Sequence, residues 1–169
     1  MFKTKWIIIL LAIYFLFRKR NVIMGLYEIL KPFLANEEGF SEKPYWDVRQ
    51  WTWGYGTKVP DSSDLKAIEP VGTITKTQAL IELVKHTDKD KEKLQKRITV
   101  KLNNNQWAAL LSFSYNLGIG NAYNLITNIN LQRWDILKEQ WKKYHIADGR
   151  VNETLKKRRD RELNLFFKT

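Results

Sequence analysis

Glu38, Asp47 and Thr52 fall within fifteen positions and together carry the side chains needed for acid–base work on a glycosidic bond. Glu38 opens Glu38-Gly39-Phe40, and Asp47 closes Pro44-Tyr45-Trp46-Asp47 nine positions later. Thr52 stands five beyond that. Glycoside cleavage needs one carboxyl held protonated by a poorly solvated setting, which gives its proton to the departing sugar oxygen. A second carboxylate stays ionised, to activate water or shelter an oxocarbenium-like centre. Glu38 follows an apolar stretch and has Phe40 and Trp46 nearby, so it suits the acid, while Asp47 beside a polar hairpin suits the anion. A threonine hydroxyl can hold an attacking water without titrating. Most Glu/Asp pairs at such a spacing are solvated surface charges, so spacing alone does not decide. Other chemistries find less support. There is no cysteine, His86 and His145 lack ligand-spaced companions, and no serine sits in a Gly-x-Ser-x-Gly context. No metal or cofactor is expected.

These residues must be positioned by the elements around them. Leu26, Ile29, Leu30, Phe33 and Leu34 recur at helical spacing, although Pro32 is expected to break that helix or start a new one. Gln50–Gly56, rich in Trp, Tyr, Thr and Gly, predicts a short β-hairpin, and residues 58–74 hold the Pro, Ser, Asp and Gly of a loop. Thr75-Lys76-Thr77-Gln78 reads as a helix start, with Leu80, Val84, Leu94 and Ile98 striping one long helix whose other face is charged. Gln106–Leu117 is apolar enough for burial on most sides, and Gly118-Ile119-Gly120 reads as a turn or helix stop. Helical patterns resume over Leu131–Tyr144 and Glu153–Phe167, broken at Asp148-Gly149. The sum is an α+β chain, mostly helical, with one small antiparallel sheet near the front.

Residues 1–25 stand apart. They carry five basic side chains and no acid, and Trp6–Phe17 is an unbroken apolar run between Lys3, Lys5 and Arg18-Lys19-Arg20. Twelve helical residues span roughly 18 Å, short of the ~30 Å hydrocarbon core. No small-x-small cleavage site follows, so an uncleaved anchor or interfacial helix is preferred to a removed signal. A buried apolar helix is the third reading. Residues 26–169 form the second unit, and they hold only six of the eleven net positive charges. That modest excess suits an anionic polymer or membrane surface rather than nucleic acid, which would need a clustered basic groove with aromatic platforms.

The wording around the pair narrows the choice. Glu38-Gly39-Phe40, Pro44-Tyr45-Trp46-Asp47 and Trp51-Thr52-Trp53-Gly54-Tyr55-Gly56-Thr57 resemble the active-site stretch of phage-type lysozymes. That family shows Glu-Gly, Tyr-x-Asp and a Trp-Thr-x-Gly-x-Gly-His hairpin. Downstream, Leu102-x-x-x-Gln106-Trp107-x-Ala109-Leu110-x-Ser112-Phe113-x-x-Asn116-x-Gly118 resembles its central helix. Leu155-x-x-Arg158-Arg159-x-x-Glu162-x-x-Leu165-Phe166 resembles its basic closing helix. The matches run in family order from Leu26 to Phe167.

The resemblance implies a two-lobed lysozyme-like fold holding a glycan between its lobes. It implies Glu38 as acid, Asp47 as second carboxylate and Thr52 as the water-orienting hydroxyl. Tyr115 and Asn116 would face the glycan, and Arg158 would pair with Glu38 and help position it. Substitution of the neighbouring Glu37 is expected to be mild. The implied activity is hydrolysis of the bond between N-acetylmuramic acid and N-acetylglucosamine in bacterial peptidoglycan. The implied protein is a monomer on the cell-wall side of the membrane, with residues 6–17 associating with that membrane. A lytic transglycosylase and a non-catalytic cationic glycan- or membrane-binding protein are the rivals. Two departures stand out. Asp47 to Thr52 is one residue shorter than in the family, with Arg49-Gln50 where Gly-Val is usual, so the hairpin turn must differ. Thr57 replaces the customary histidine, a position usually structural.

Overall fold

The computed structural model describes residues 24–168 except Val48 and Asp148. The apolar run Trp6–Phe17 and the anchor expected there lie outside the described residues. No helix among the described residues is long and apolar enough to cross a membrane.

Helix α1 covers residues 24–38 and buries Leu26, Leu30 and Leu34, a stripe at four-residue spacing, with Tyr27 beside it. Pro32 does not break it, against the expectation from sequence. Pro32 and Glu28, whose carbonyl loses its helical donor to the proline, both lie on the exposed side, so water can serve the freed oxygen. Strand β1 (Ser41–Asp47) pairs antiparallel with β2 (Gln50–Gly54), which pairs with β3 (Thr57–Lys58), giving the order β1-β2-β3. The register sets Tyr45 opposite Thr52, Trp46 opposite Trp51 and Asp47 opposite Gln50. The predicted hairpin is therefore β2 turning into β3, two strands of a three-stranded sheet.

Residues 59–75 are irregular and are tied to the sheet by the Val59 amide donating to the Trp51 carbonyl at 2.9 Å and the Ile74 amide donating to the Glu42 carbonyl at 3.0 Å. Helix α2 (Lys76–Gln95) then starts on a capping box. The Thr75 hydroxyl accepts from the Gln78 amide, and Gln78 Oε1 accepts from the Thr75 amide. Its buried stripe is Ala79, Leu83, Thr87, Asp90 and Leu94, one residue out of phase with the predicted one at Leu80 and Val84, and Ile98 lies beyond its end. Sheet and helix touch where Gly54 adopts a φ of +62° and a β-carbon there would meet the Ala79 methyl at 2.8 Å. Gly54→Ala is expected to destabilise the protein by about 2–4 kcal/mol, from left-handed strain plus overpacking, read as a lower urea midpoint at unchanged slope.

Helix α3 (Asn104–Leu117), capped by Asn103, buries Ala108 through Ser114 without interruption and is the central helix. The expected turn or helix stop falls at Gly118, the C-cap of α3. Gly118, at φ +83°, turns the chain and α4 (Ile119–Asn130) begins at once. After α5 (Trp134–Lys142), the strands β4 (Ile146–Ala147) and β5 (Arg150–Val151) form a second small sheet, and α6 (Glu153–Phe166) closes against α3. Phe113 of α3, Trp141 of α5 and Phe166 of α6 meet edge to face, with centroids 4.9 Å and 5.6 Å apart. One apolar core runs from Leu26 of α1 to Phe166 of α6.

Candidate active site

Glu38 is the last residue of α1, and Gly39 after it, at φ +68°, turns the chain into the sheet. Its carboxyl is 17% exposed. Arg158 of α6 donates from Nη2 to Glu38 Oε1 at 2.6 Å, so the pair expected from sequence is present. The other oxygen, Oε2, lies under the β2–β3 turn. A β-carbon on Gly56, whose φ is +88°, would sit 3.8 Å from it. Glycine thus lets the turn's backbone cover the carboxyl without a side chain blocking it. Oε1 is engaged, whereas Oε2 bonds to none of the described residues.

Alternation along the strands puts Tyr45 and Asp47 on one face of β1, with Thr52 and Gln50 opposite them on the same face of β2. Asp47 is exposed, as is Tyr45. Burial pushes the Tyr45 hydroxyl above the usual tyrosine range, and the charges of Asp47 and Glu38 add to it. Tyr45 therefore feels both carboxylates. Thr52 is fully buried, and its hydroxyl bonds to none of the described residues. A buried idle hydroxyl costs about 1–3 kcal/mol relative to a satisfied one, so its presence calls for a reason. The shorter Asp47–Thr52 spacing still keeps both residues on one face, because Asp47 pairs with Gln50 and Tyr45 with Thr52.

Helix α3 supplies Tyr115, whose hydroxyl donates to the Tyr55 carbonyl at 2.7 Å and whose ring meets His86 edge to face at 5.1 Å. Burial raises its hydroxyl well above the usual range; Glu38 and Tyr45 raise it further and Arg158 opposes them. Tyr115 thus belongs to the same group as Glu38 and Tyr45. Asn116 turns toward α6. Its Oδ1 accepts from Arg159 Nη2 at 2.8 Å, which leaves its amide hydrogens for another partner. Thr57, in place of the customary histidine, donates to Glu82 of α2 at 2.9 Å, and Trp53 Nε1 reaches the same oxygen at 3.3 Å. The position ties the sheet to α2.

Behind Arg158 lies a network that sequence reasoning named only as part of a motif. Glu162, fully buried, accepts from the Ser112 hydroxyl at 2.8 Å and from Trp141 Nε1 at 3.0 Å. It also accepts from Arg158 Nε at 3.3 Å and from Arg159 Nη2 at 3.1 Å. Burial pushes the Glu162 carboxyl up, while Arg159, Trp141, Arg158 and Ser112 pull it down. Arg158 is therefore gripped by Glu162 on one side and presents its free edge to Glu38. The Arg-Arg-x-x-Glu spacing was the visible signal, since residues three and four apart share a helix face. The second signal was the doublet Glu37-Glu38 at a helix C-terminus, the negative end of the helix dipole, where acids need compensating cations. Among the described residues no group of three histidine or acidic side chains is placed to hold a metal ion.

Comparison with known proteins adds a family and a fold. The phage lysozyme family model matches residues 35–162. An endolysin of Bacillus phage PZA is 29% identical over 134 residues, covering 76% of this chain and 50% of that protein. An endolysin of Bacillus phage B103 is 26% identical over 152 residues, covering 87% and 54%. The chain thus spans about half the length of these curated relatives. Among solved structures, a P22 lysozyme variant superposes with a TM-score of 0.69 at 26% identity, covering 82% of this chain and 94% of that one. The muramidase domain of SpmX from Asticaccaulis excentricus gives 0.70 at 20% identity, covering 82% and 95%, a likeness of fold.

Proposed function

The chain belongs to the phage lysozyme family, and from that premise we propose that it degrades bacterial peptidoglycan by hydrolysing the β-1,4 bond between N-acetylmuramic acid and N-acetylglucosamine. One observation carries the reading. Glu38 at the end of α1 is largely shielded, Asp47 on the strand that follows is exposed, and the charges of both act on Tyr45. Two carboxyls in unequal surroundings are what acid and anion roles require.

In this reading Glu38 donates its proton from Oε2, since Oε1 is occupied by Arg158. Asp47 stays ionised and either activates water or shelters the cationic centre. Thr52, on Asp47's face of the sheet, orients the attacking water. Tyr115 and the free amide of Asn116 contact the sugars. Arg158 orients the acid through its Nη2–Oε1 hydrogen bond. The enzyme is a monomer on the cell-wall side of the membrane, with residues 6–17 holding it there.

A lytic transglycosylase would use the same acid but close the sugar's own hydroxyl onto the anomeric carbon, and would need neither Asp47 nor Thr52. Mass spectrometry of digested peptidoglycan separates the two. Reducing muramic ends are expected, and anhydro-muramic ends as the main product would overturn the hydrolytic reading.

A further inference from the structure

Glu37 lies next to the proposed acid, and no part of the mechanism above uses it, which is why sequence alone predicts a mild effect of its substitution; its contacts in the fold revise that expectation. Its carboxylate is nevertheless 2% exposed and meets Arg161 of α6 through two contacts, Nε to Oε1 at 2.5 Å and Nη2 to Oε2 at 2.7 Å. The partners are 124 residues apart in sequence. We propose that Glu37 and Arg161 are positioning residues of the reaction: their two-point pair clamps the last turn of α1 to α6 and thereby fixes the Glu38 carboxyl.

The argument starts from where Glu38 sits. Helix ends fray, and the carbonyls of a last turn lack helical partners. Gly39 follows with no side chain to pack and a left-handed backbone. Two adjacent acids at the negative end of the α1 dipole also repel that end and each other. Arg158 answers Glu38 with a single Nη2–Oε1 contact, which fixes one oxygen but leaves the carboxyl free to pivot about it. A second contact removes that freedom only if it is rigid and displaced along α6. Arg161 is three residues, about one helical turn, from Arg158, and its planar fork matches both Glu37 oxygens. Two anchors along α6, one of them bidentate, define the orientation of the turn that carries the acid. The Glu37 side chain is closed off from solvent and so from a ligand, and its part is positional.

The inference rests on Glu38 being the acid, and the test keeps the two claims apart. Arg161 is 44% exposed, so its replacement leaves the core untouched. Full-length protein and its Arg161→Gln, Arg161→Lys and Glu37→Gln variants are assayed on purified peptidoglycan with kcat and KM resolved, alongside thermal melting and amide hydrogen exchange. Arg161→Gln and Glu37→Gln are expected to lower kcat roughly ten-fold with KM within about two-fold, part of the ~10²-fold that a 1 Å displacement costs. Arg161→Lys, which keeps the charge but loses the fork, should recover part of that rate. Exchange should quicken at residues 37–40 and not in α3. An active parent whose Arg161→Gln variant keeps its kcat, or loses only KM, overturns the clamp alone. So does a rate loss that tracks a general fall in melting temperature. A parent chain inactive on peptidoglycan overturns the functional reading, and the positioning role with it.

Discussion

Replacing Glu38 with glutamine is expected to remove nearly all lytic activity while leaving the protein folded. The amide keeps a carbonyl oxygen where Oε1 accepts from Arg158 Nη2, so the link between α1 and α6 survives. What disappears is a proton donor beneath the Gly56 turn, and no other acid among the described residues is placed to replace it. Asp47 is on the sheet and exposed, Glu37 is spent on Arg161, and Glu162 is sealed behind Arg158. A positioned general acid contributes typically about 10²–10⁴-fold, so turbidity clearance should fall by at least ~10²-fold. Thermal melting should shift by no more than a few degrees, equivalent to roughly 1 kcal/mol in a chain of this size. Retained lysis in Glu38→Gln, or a comparable loss in Glu162→Gln without unfolding, would place the acid elsewhere.

Much of this site was legible because it is local. The Glu-Gly, Tyr-x-Asp and Trp-Thr words occupy residues 38–57 and fold into a helix end and a three-stranded sheet. Their functional spacing is therefore a sequence spacing. Helix starts were equally local, since the Thr75–Gln78 box is written in four residues. Strand β1 was not visible as a strand. Pro44 and the charges Glu42 and Lys43 interrupt its alternation, and the pairing slips between Ser41 and Tyr45, which an edge strand tolerates. Helix α4 was hidden by Gly118 and Gly120, which read as a stop. In the fold only Gly118 bends, and Gly120 is absorbed into the next turn. The charge network was the least legible part. α6 is charged on most sides, and only packing against α3 and α5 determines that Arg158, Arg159 and Glu162 are inside while Lys156, Lys157 and Asp160 are not. Burial of a charge is a tertiary fact, made tolerable by partners fifty or more residues away, such as Ser112 and Glu38.

Asp47 and Thr52 should respond to substitution in different currencies. Asp47→Asn removes an exposed charge at the end of an edge strand, with no hydrogen bond from its side chain to the described residues. Stability is therefore expected to stay within about 0.5 kcal/mol. If the ionised carboxylate supports water or an oxocarbenium-like centre, kcat should nevertheless fall roughly 10²-fold or more. Thr52→Val tests the opposite combination. The hydroxyl is fully buried and idle among the described residues, so a methyl of similar shape relieves a desolvation cost and should stabilise the fold by about 1 kcal/mol. A group kept at a cost to stability is what a functional hydroxyl looks like, because sites hold features that folding alone would remove. Thr52→Val is thus expected to melt higher and turn over more slowly, though with a smaller loss than Asp47→Asn because no charge is removed. Urea denaturation and peptidoglycan kinetics on the same samples check both signs. A Thr52→Val protein that is more stable and fully active would retire the water-orienting role. Full activity in Asp47→Asn would shift the chemistry toward a transglycosylase, in which Glu38 acts without a second carboxylate.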